Sequence, residues 1–344
     1  MNGYAIRRLD PDSDGPAIGA LLARNIPGLD GPAAARKCRE AYAGNPVGVG
    51  EAFGLIDDGI DLVGALALQA RRWHRGAETR EGACFADFSV DARHRSLGPA
   101  LRLVRHAIEA TGSPLLYGFP NPQARGLLQR AGLQAVGRMR RYGRLLSVRA
   151  LRRPGAPRTQ RMLAAFPTVL DPLLHWGDAV LCRRRAQGFK AREAGFGEHW
   201  LDTAWHGRAA DLWVSARDAA GVAWRYRSDL KRDWRIARVD DAQGRPVGHV
   251  VWRLASGLVE IGDVHGAGLP QRLSALLLAF AALARREGAT ALSFECLGHA
   301  GVDAALRAAG FLHHADSDPL LATVPQGLAW PRDAFVTGYD RDTH

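Results

Sequence analysis

The stretch Cys84–Leu133 constrains this chain most. It reads CFADFSVDARHRSLGPALRLVRHAIEATGSPLLYGFPNPQARGLLQRAGL. An apolar, strand-like run ends at Val90, a turn containing Arg and Gly follows, and apolar residues then recur at helical spacing. A second strand-like run leads into a short helix that stops at Ala131-Gly132-Leu133. In such a unit, backbone N–H groups of the turn face outward beside the positive end of a helix, which suits a phosphate or pyrophosphate. Gly98 lets a ligand approach the backbone closely, and Arg93 or Arg95 can add a charge-assisted contact. An ordinary strand-to-helix turn has similar composition, so the rest of the chain has to distinguish the two.

Before this stretch, Tyr4 to Leu9 alternates like a strand, Asp10 to Gly15 reads as a turn, and Ala17–Arg24 and Ala33–Tyr42 have helical spacing. Ala52–Ile56 and Leu62–Gln69 read as strands joined by a turn at Asp57-Asp58-Gly59. Arg71 to Gly82 is expected to be a polar loop, and Gln134–Leu146 a further strand. The expected order is β-α-α-β-β-β-α-β-α-β. Residues 147–186 differ, with a breaker cluster at 152–157 and helical patterns interrupted near Pro167 and Pro172. Arg183-Arg184-Arg185 ends this connector and fits either an acidic ligand or a solvated helix end.

The same order then begins again. Lys190–Glu193 is strand-like and His199–Ala220 helical. Strands are expected at Trp234–Val239, Val247–Leu254 and Leu258–Val264, and a long helix at Pro270–Glu287. A strand at Ala291–Glu295, a helix at Ala300–Ala309 and a last strand near Phe335-Val336 complete the second half. The sharpest echo is Leu127–Leu133 (LLQRAGL) against Ala305–Phe311 (ALRAAGF), where a glycine stops the helix and an apolar residue re-enters the core. The reading is an α/β chain with mixed sheets in three parts: 1–146, a helical connector 147–186, and 187–344.

Composition narrows the partners. The 344 residues carry a net charge of +11, but lysine occurs only at Lys37, Lys190 and Lys231. An arginine-dominated charge fits either an anionic partner or the background of a GC-rich coding sequence, so nucleic acid is possible and not favoured. Cys38, Cys84, Cys182 and Cys296 form no CxxC pair, and His313-His314 has no third ligand nearby, so no metal site is expected. The N-terminus lacks a signal-like apolar run, and Leu273–Ala284 is too short to span a bilayer. A cytoplasmic protein is expected, with its thiols buried and reduced.

Val90-Asp91-Ala92-Arg93-His94-Arg95-Ser96-Leu97-Gly98-Pro99-Ala100 resembles the acetyl-CoA signature of the GCN5-related (GNAT) N-acetyltransferases, whose Gln/Arg-x-x-Gly-x-Gly/Ala falls on Arg95, Gly98 and Ala100. Asn121-Pro122-Gln123-Ala124, with Leu127 and Gly132-Leu133, resembles the family's Asn-x-x-Ala-x-x-Leu-Tyr-x-x-x-Gly-Phe segment. The second half resembles the same fold: Arg217-Asp218 with Trp224-Arg225-Tyr226 looks like a pattern of tandem GNAT-like bacterial proteins, some acting in envelope metabolism. Its corresponding turn, Asp263–Leu269, has glycines without the signature spacing. The resemblance therefore implies two tandem GNAT-like domains, the second degenerate, and an N-acetyltransferase using acetyl-CoA on a primary amine of a small molecule or amino sugar.

The same resemblance places the donor on Val90, Arg93, Arg95, Ser96, Leu97, Gly98, Pro99, Ala100 and Asn121, with a main-chain N–H at Val90 or a neighbour polarising the thioester. For the proton, Asp87 stands out as a charge in an apolar strand, either a base or one half of a salt bridge. Asp263, next to His265, is a second candidate or a strand-end cap. The family's tyrosine acid falls on Leu128, so another group such as Tyr117 or Tyr142, or solvent, protonates the thiolate, or activity is poor. Two other readings stay open: a transferase using charged tRNA, and a CoA-binding module without turnover.

Overall fold

The computed structural model describes residues 3–26, 28–57, 61–152, 158–186, 188–208, 211–227, 233–323, 330 and 332–342. The first half runs β1 (Tyr4–Leu9), α1 (Gly15–Asn25), α2 (Gly31–Cys38, continued by a π-helical turn Arg39–Ala43), β2 (Glu51–Asp57), β3 (Asp61–Arg75), β4 (Glu78–Val90), α3 (Leu97–Thr111), β5 (Leu116–Gly118), α4 (Pro122–Arg130) and β6 (Gln134–Leu145). This is the expected order. Most of the expected turn at Asp57-Asp58-Gly59, and of the breaker cluster at 152–157, lies outside the described residues. The connector holds α5 (Arg158–Leu163) and α6 (Pro167–Arg185). Pro167 opens α6, where no N–H is needed, but Pro172 lies inside the helix and does not end it as expected. Arg183, Arg184 and Arg185 are exposed in the last turn of α6, beside its negative end.

The second half runs β7 (Lys190–Ala194), α7 (Trp200–His206), β8 (Val214–Ser215), α8 (Ala219–Arg227), β9 (Arg235–Asp240), β10 (Pro246–Ala255), β11 (Leu258–Gly266), α9 (Leu273–Arg286), β12 (Ala291–Leu297), α10 (Ala300–Ala308), β13 (Leu312–Thr323) and β14 (Val336–Thr337). The helices α4 and α10 end alike. Gly132 and Gly310 take positive φ, and the N–H groups of Leu133 and Phe311 return to the carbonyls of Leu128 and Leu306 at 3.1 and 3.0 Å.

The fourteen strands of the described residues form one sheet, in the order β1-β2-β3-β4-β5-β13-β6-β12-β11-β10-β9-β7, with β14 on β12 and β8 on β3. The pairs β4·β5 and β11·β12 are parallel and occupy corresponding places in the two halves. The centre is an exchange. β13 lies between β5 and β6, and β6 lies between β13 and β12, so each half completes the other's sheet. The apolar faces close against helices: α9 buries ten residues, and α3 buries Leu103, Val104 and Ala107 with Leu116 and Leu321.

Three sequence expectations fail because distant parts of the chain decide them. The polar loop expected at Arg71–Gly82 is instead the end of a long β3–β4 hairpin. Arg71 and Trp73 are buried there, with Trp224 under the Arg71 guanidinium at 5.0 Å, Trp330 against Trp73 at 5.4 Å, and β8 paired alongside. The helix expected over His199–Ala220 stops at Gly207, and the chain then forms β8 before α8 begins. β13 was not expected at all. Its sequence LHHADSDPLLAT does not alternate, and register shifts accommodate the polar run and Pro319.

Candidate active site

β4 and β5 pair only at Ala83–Leu116 and Cys84–Tyr117 and then part. The gap between them opens into a cavity of about 970 Å³, lined by residues from β4, the turn to α3, α3 itself and the start of α4. On β4, Asp87 and Phe88 together face Leu66, a bulge in which Asp87 takes φ +48°. The bulge resets which edge each N–H faces. The Ala83 N–H points to β5 (2.9 Å to the Leu115 carbonyl) and the Asp91 N–H to β3 (2.8 Å to Val63). Alternation between these fixed points sends the N–H groups of Phe88 and Val90 into the gap.

The turn below the gap is built to stay open. Asp91 caps a short 3₁₀ turn, Ala92–His94, through the Arg93 N–H at 3.2 Å. Arg93 is exposed. Arg95 binds the Val90 carbonyl at 2.9 Å and the Asn25 side chain, so it braces the turn while lining the cavity. Ser96 precedes α3 but makes no capping bond. The first-turn N–H groups of Leu97 and Gly98 thus lack a side-chain cap, while Pro99 has no N–H to offer. A Cβ at Gly98 would meet no protein atom within 4 Å, and Ala100 is buried under the turn. Across the gap, Asn121 caps α4 through the Ala124 N–H at 2.9 Å. Leu128, also in the wall, is buried and apolar.

Asp87 lines the cavity and is held from behind. Lys37 Nζ lies 2.7 Å from its Oδ1, and the Tyr42 hydroxyl donates to Oδ2. Burial works against the Lys37 ammonium, but Asp87 more than offsets this and leaves the lysine pKa raised. Burial, then Asp87, pushes the Tyr42 phenol well above its ordinary range. Neither partner was anticipated from the sequence. The only available signal was that Lys37 is one of three lysines in an arginine-rich chain.

The other proton-transfer candidates lie elsewhere. Tyr117 is fully buried among Trp73, Phe119 and Trp330, and its hydroxyl donates to the Asp340 carbonyl at 3.0 Å, so the phenol does not reach the gap. Tyr142 donates to Asp303 on another face. Asp263 is fully buried in an ion pair with Arg217 (3.1 Å), and it binds His249 (3.0 Å) and Thr337 (2.5 Å). Burial disfavours its charge, yet Arg217 and His249 hold the carboxyl well below the usual range. Arg217 also binds Asp340 at 2.7 Å, which makes it the centre of a structural network. The cysteines are inert in this setting: burial pushes the Cys38 and Cys84 thiols up to about 12. Among the described residues, no cluster of His, Cys, Asp and Glu could hold a metal, and no helix is long and apolar enough to cross a membrane.

Among the described residues, the carboxylates of Asp87, Asp318 and Asp342 line the cavity. Asp318 comes from β13, and Asp342 from the segment after β14, so the second half closes the first half's gap. Arg341 bridges Asp318 and Glu295 (3.0 Å to Glu295), and its carbonyl accepts from Arg71 at 3.4 Å.

No family model matches the sequence, and no curated protein matches it either. Solved structures do. A GCN5-related N-acetyltransferase from Anabaena variabilis superposes with a TM-score of 0.63 at 11% identity, over 93% of this chain and 72% of that one. A conserved Enterococcus faecalis protein described as a probable N-acyltransferase gives 0.62 at 10%, over 94% and 72%. A GCN5-related N-acetyltransferase from Kribbella flavida gives 0.57 at 12%, over 93% and 71%. Each superposition runs through both halves.

Proposed function

We infer the function from the fold, which is that of the GCN5-related N-acetyltransferases. On that premise the chain is an acyl-CoA-dependent N-acyltransferase, moving an acetyl group from acetyl-CoA to a primary amine of a small molecule. The observation that carries the reading is the open β4–β5 gap above an uncapped helix start, with nothing within 4 Å of a Cβ at Gly98. The residues present fit the donor. Leu97 and Gly98 offer N–H groups to a pyrophosphate, the dipole of α3 favours its charge, and Arg95 stands beside it. The strand edge at Phe88 and Val90 offers main-chain hydrogen bonds to an extended pantetheine arm.

Bound acetyl-CoA would supply a thioester, whose acyl carbon bonds to the amine nitrogen while the C–S electron pair leaves with sulfur. The chain's groups would then do three things. The Val90 N–H polarises the acyl oxygen from the strand edge. The cavity carboxylates draw in an ammonium, and Asp87, fixed by Lys37 and Tyr42, accepts the proton the nitrogen loses. With Leu128 in the wall, solvent returns a proton to the departing thiolate. The three-part division at 146 and 186 belongs to this proposal, the exchange of β6 and β13 being how the outer two parts are joined.

One observation favours a second reading, a CoA-binding module without turnover: Leu128 is apolar and the Tyr117 phenol is bound elsewhere. The experiment that separates the two is thiol release from acetyl-CoA across a panel of amines, with wild type and Asp87→Asn. Turnover that falls about a hundredfold in the variant, with acetyl-CoA affinity kept, supports the enzyme. Binding without thiol release from any amine supports the module. The tRNA-dependent reading predicts no acetyl-CoA binding at all.

A further inference from the structure

Neither the donor gap nor the sheet uses the outer surface of the connector. Charge is concentrated there: residues 147–186 hold eight arginines and two aspartates, a net +6 out of the chain's +11. Exposed apolar surface is concentrated there too. Of the eleven large hydrophobic residues exposed among the described residues, six lie between Met162 and Trp176. Met162, Phe166, Val169, Leu173 and Trp176 are each 60–71% exposed, too far out to line a groove.

α6 already has a core face. Leu181 and Cys182 pack against the apolar cluster that contains α9. Both aspartates of the connector are engaged by the body of the protein. Asp171 accepts from the Ser147 hydroxyl at 2.7 Å and the Val148 N–H at 2.8 Å, and Asp178 accepts from Arg144 at 2.7 Å and from Arg285. Helical spacing puts Val169, Leu173 and Trp176 on one stripe facing the other way, with Phe166 a turn before them. Arg183 continues that stripe two turns on, and Arg184 and Arg185 stand exposed beside it. The outward face of α6 therefore pairs apolar side chains with arginines, and the connector has no free acid to balance them.

This division of surface fits the interface of an anionic bilayer. Aliphatic and aromatic side chains enter the acyl boundary, a tryptophan sits at headgroup level, and arginines meet lipid phosphates. α6 is not apolar enough to cross a membrane, so it would lie along one. Other occupants match half of the face. A second copy would bring a matching apolar stripe but no acid for the arginines. A nucleic acid would pair with the arginines but leave Val169 and Leu173 without an apolar partner.

We propose that the α5–α6 connector is a membrane-docking face, with α6 lying in the plane of the interface of a bilayer rich in anionic phospholipid. The assignment is independent of the donor reading.

The test is sedimentation of the full chain with vesicles of phosphatidylcholine alone, and with vesicles of phosphatidylcholine and phosphatidylglycerol in equal parts. The anionic vesicles should bind at least about tenfold tighter, and added salt should weaken that binding. Leu173→Gln/Trp176→Gln alters two exposed side chains, so the unfolding temperature should hold while affinity for the anionic vesicles falls at least about tenfold. Arg183→Gln/Arg184→Gln should lower it about tenfold to thirtyfold. No binding to the anionic vesicles would overturn the assignment. So would binding that Leu173→Gln/Trp176→Gln leaves unchanged, which would trace it to the chain's overall charge. A dimer that Leu173→Gln/Trp176→Gln dissociates, without vesicle binding, would give the stripe to a second copy instead. The sedimentation needs no acetyl-CoA, so its outcome is separate from that of the donor reading.

Discussion

The two halves of this molecule hold the same parallel strand pair in two states. In the first, β4 and β5 separate and the gap stays open to a cavity. In the second, β11 and β12 separate after Ile261–Phe294, and β14 enters the gap, pairing with Cys296 and Leu297. Thr337 of β14 then bonds Asp263, and Gly338 lies so close to Gly262 that a Cβ would sit 2.7 Å from its carbonyl. The helix starts differ in the same way. Leu97 of α3 is 48% exposed, whereas Leu273 of α9 is fully buried. One sheet geometry thus yields an open gap in one half and, in the other, a structural joint filled by β14.

That contrast makes the strand carboxylate of the second half a stability residue. Asp263→Ala leaves Arg217 and His249 facing an empty position in a dry core, and should cost about 3–5 kcal/mol in a denaturant titration. A loss under 1 kcal/mol would mean that the joint does not hold the second half together.

The glycines separate the halves next. Gly266→Ala puts a Cβ 2.7 Å from the Val247 carbonyl and from Leu276, and should cost about 1–3 kcal/mol. Gly98→Ala meets nothing, and should stay within about 0.5 kcal/mol of wild type. Similar unfolding midpoints for both variants would erase the distinction.

The smallest effect is on pH dependence. Burial holds the His265 imidazole well below its ordinary range, and neither ring nitrogen has a hydrogen-bond partner among the described residues. The unfolded chain takes up that proton below about pH 6.5 and the folded one does not, so stability falls as pH drops, by up to about 1.4 kcal/mol per unit. His265→Phe should flatten this slope between pH 6.5 and 5 relative to wild type. An unchanged slope would show that His265 is protonated in the fold.

Much of the fold was legible because its signals are local. The glycine stops at Gly132 and Gly310, the Asn121-Pro122 helix start and the amphipathic α3 and α9 depend on neighbours a few residues away. The turn between β4 and α3 and its helix start were legible for the same reason. What stayed hidden depends on distant partners. The long β3–β4 hairpin needs Trp224, Trp330 and β8, and β13 has no strand-like alternation until β5 and β6 flank it. In the site, Asp87 stood out as a charge in an apolar strand, but its partners Lys37 and Tyr42 come from about fifty residues earlier. Tyr117 and Asp263 were chosen for chemistry that any buried tyrosine or strand aspartate shares; position alone assigns them to the core.

The most direct measurement is the stoichiometry of acetyl-CoA binding by titration calorimetry on the full chain, repeated with Gly98→Glu, whose carboxylate would fill the turn and repel a pyrophosphate. One site per chain, lost in Gly98→Glu without a change in unfolding temperature, is the predicted result. Two sites per chain, or one site that survives Gly98→Glu, would contradict it.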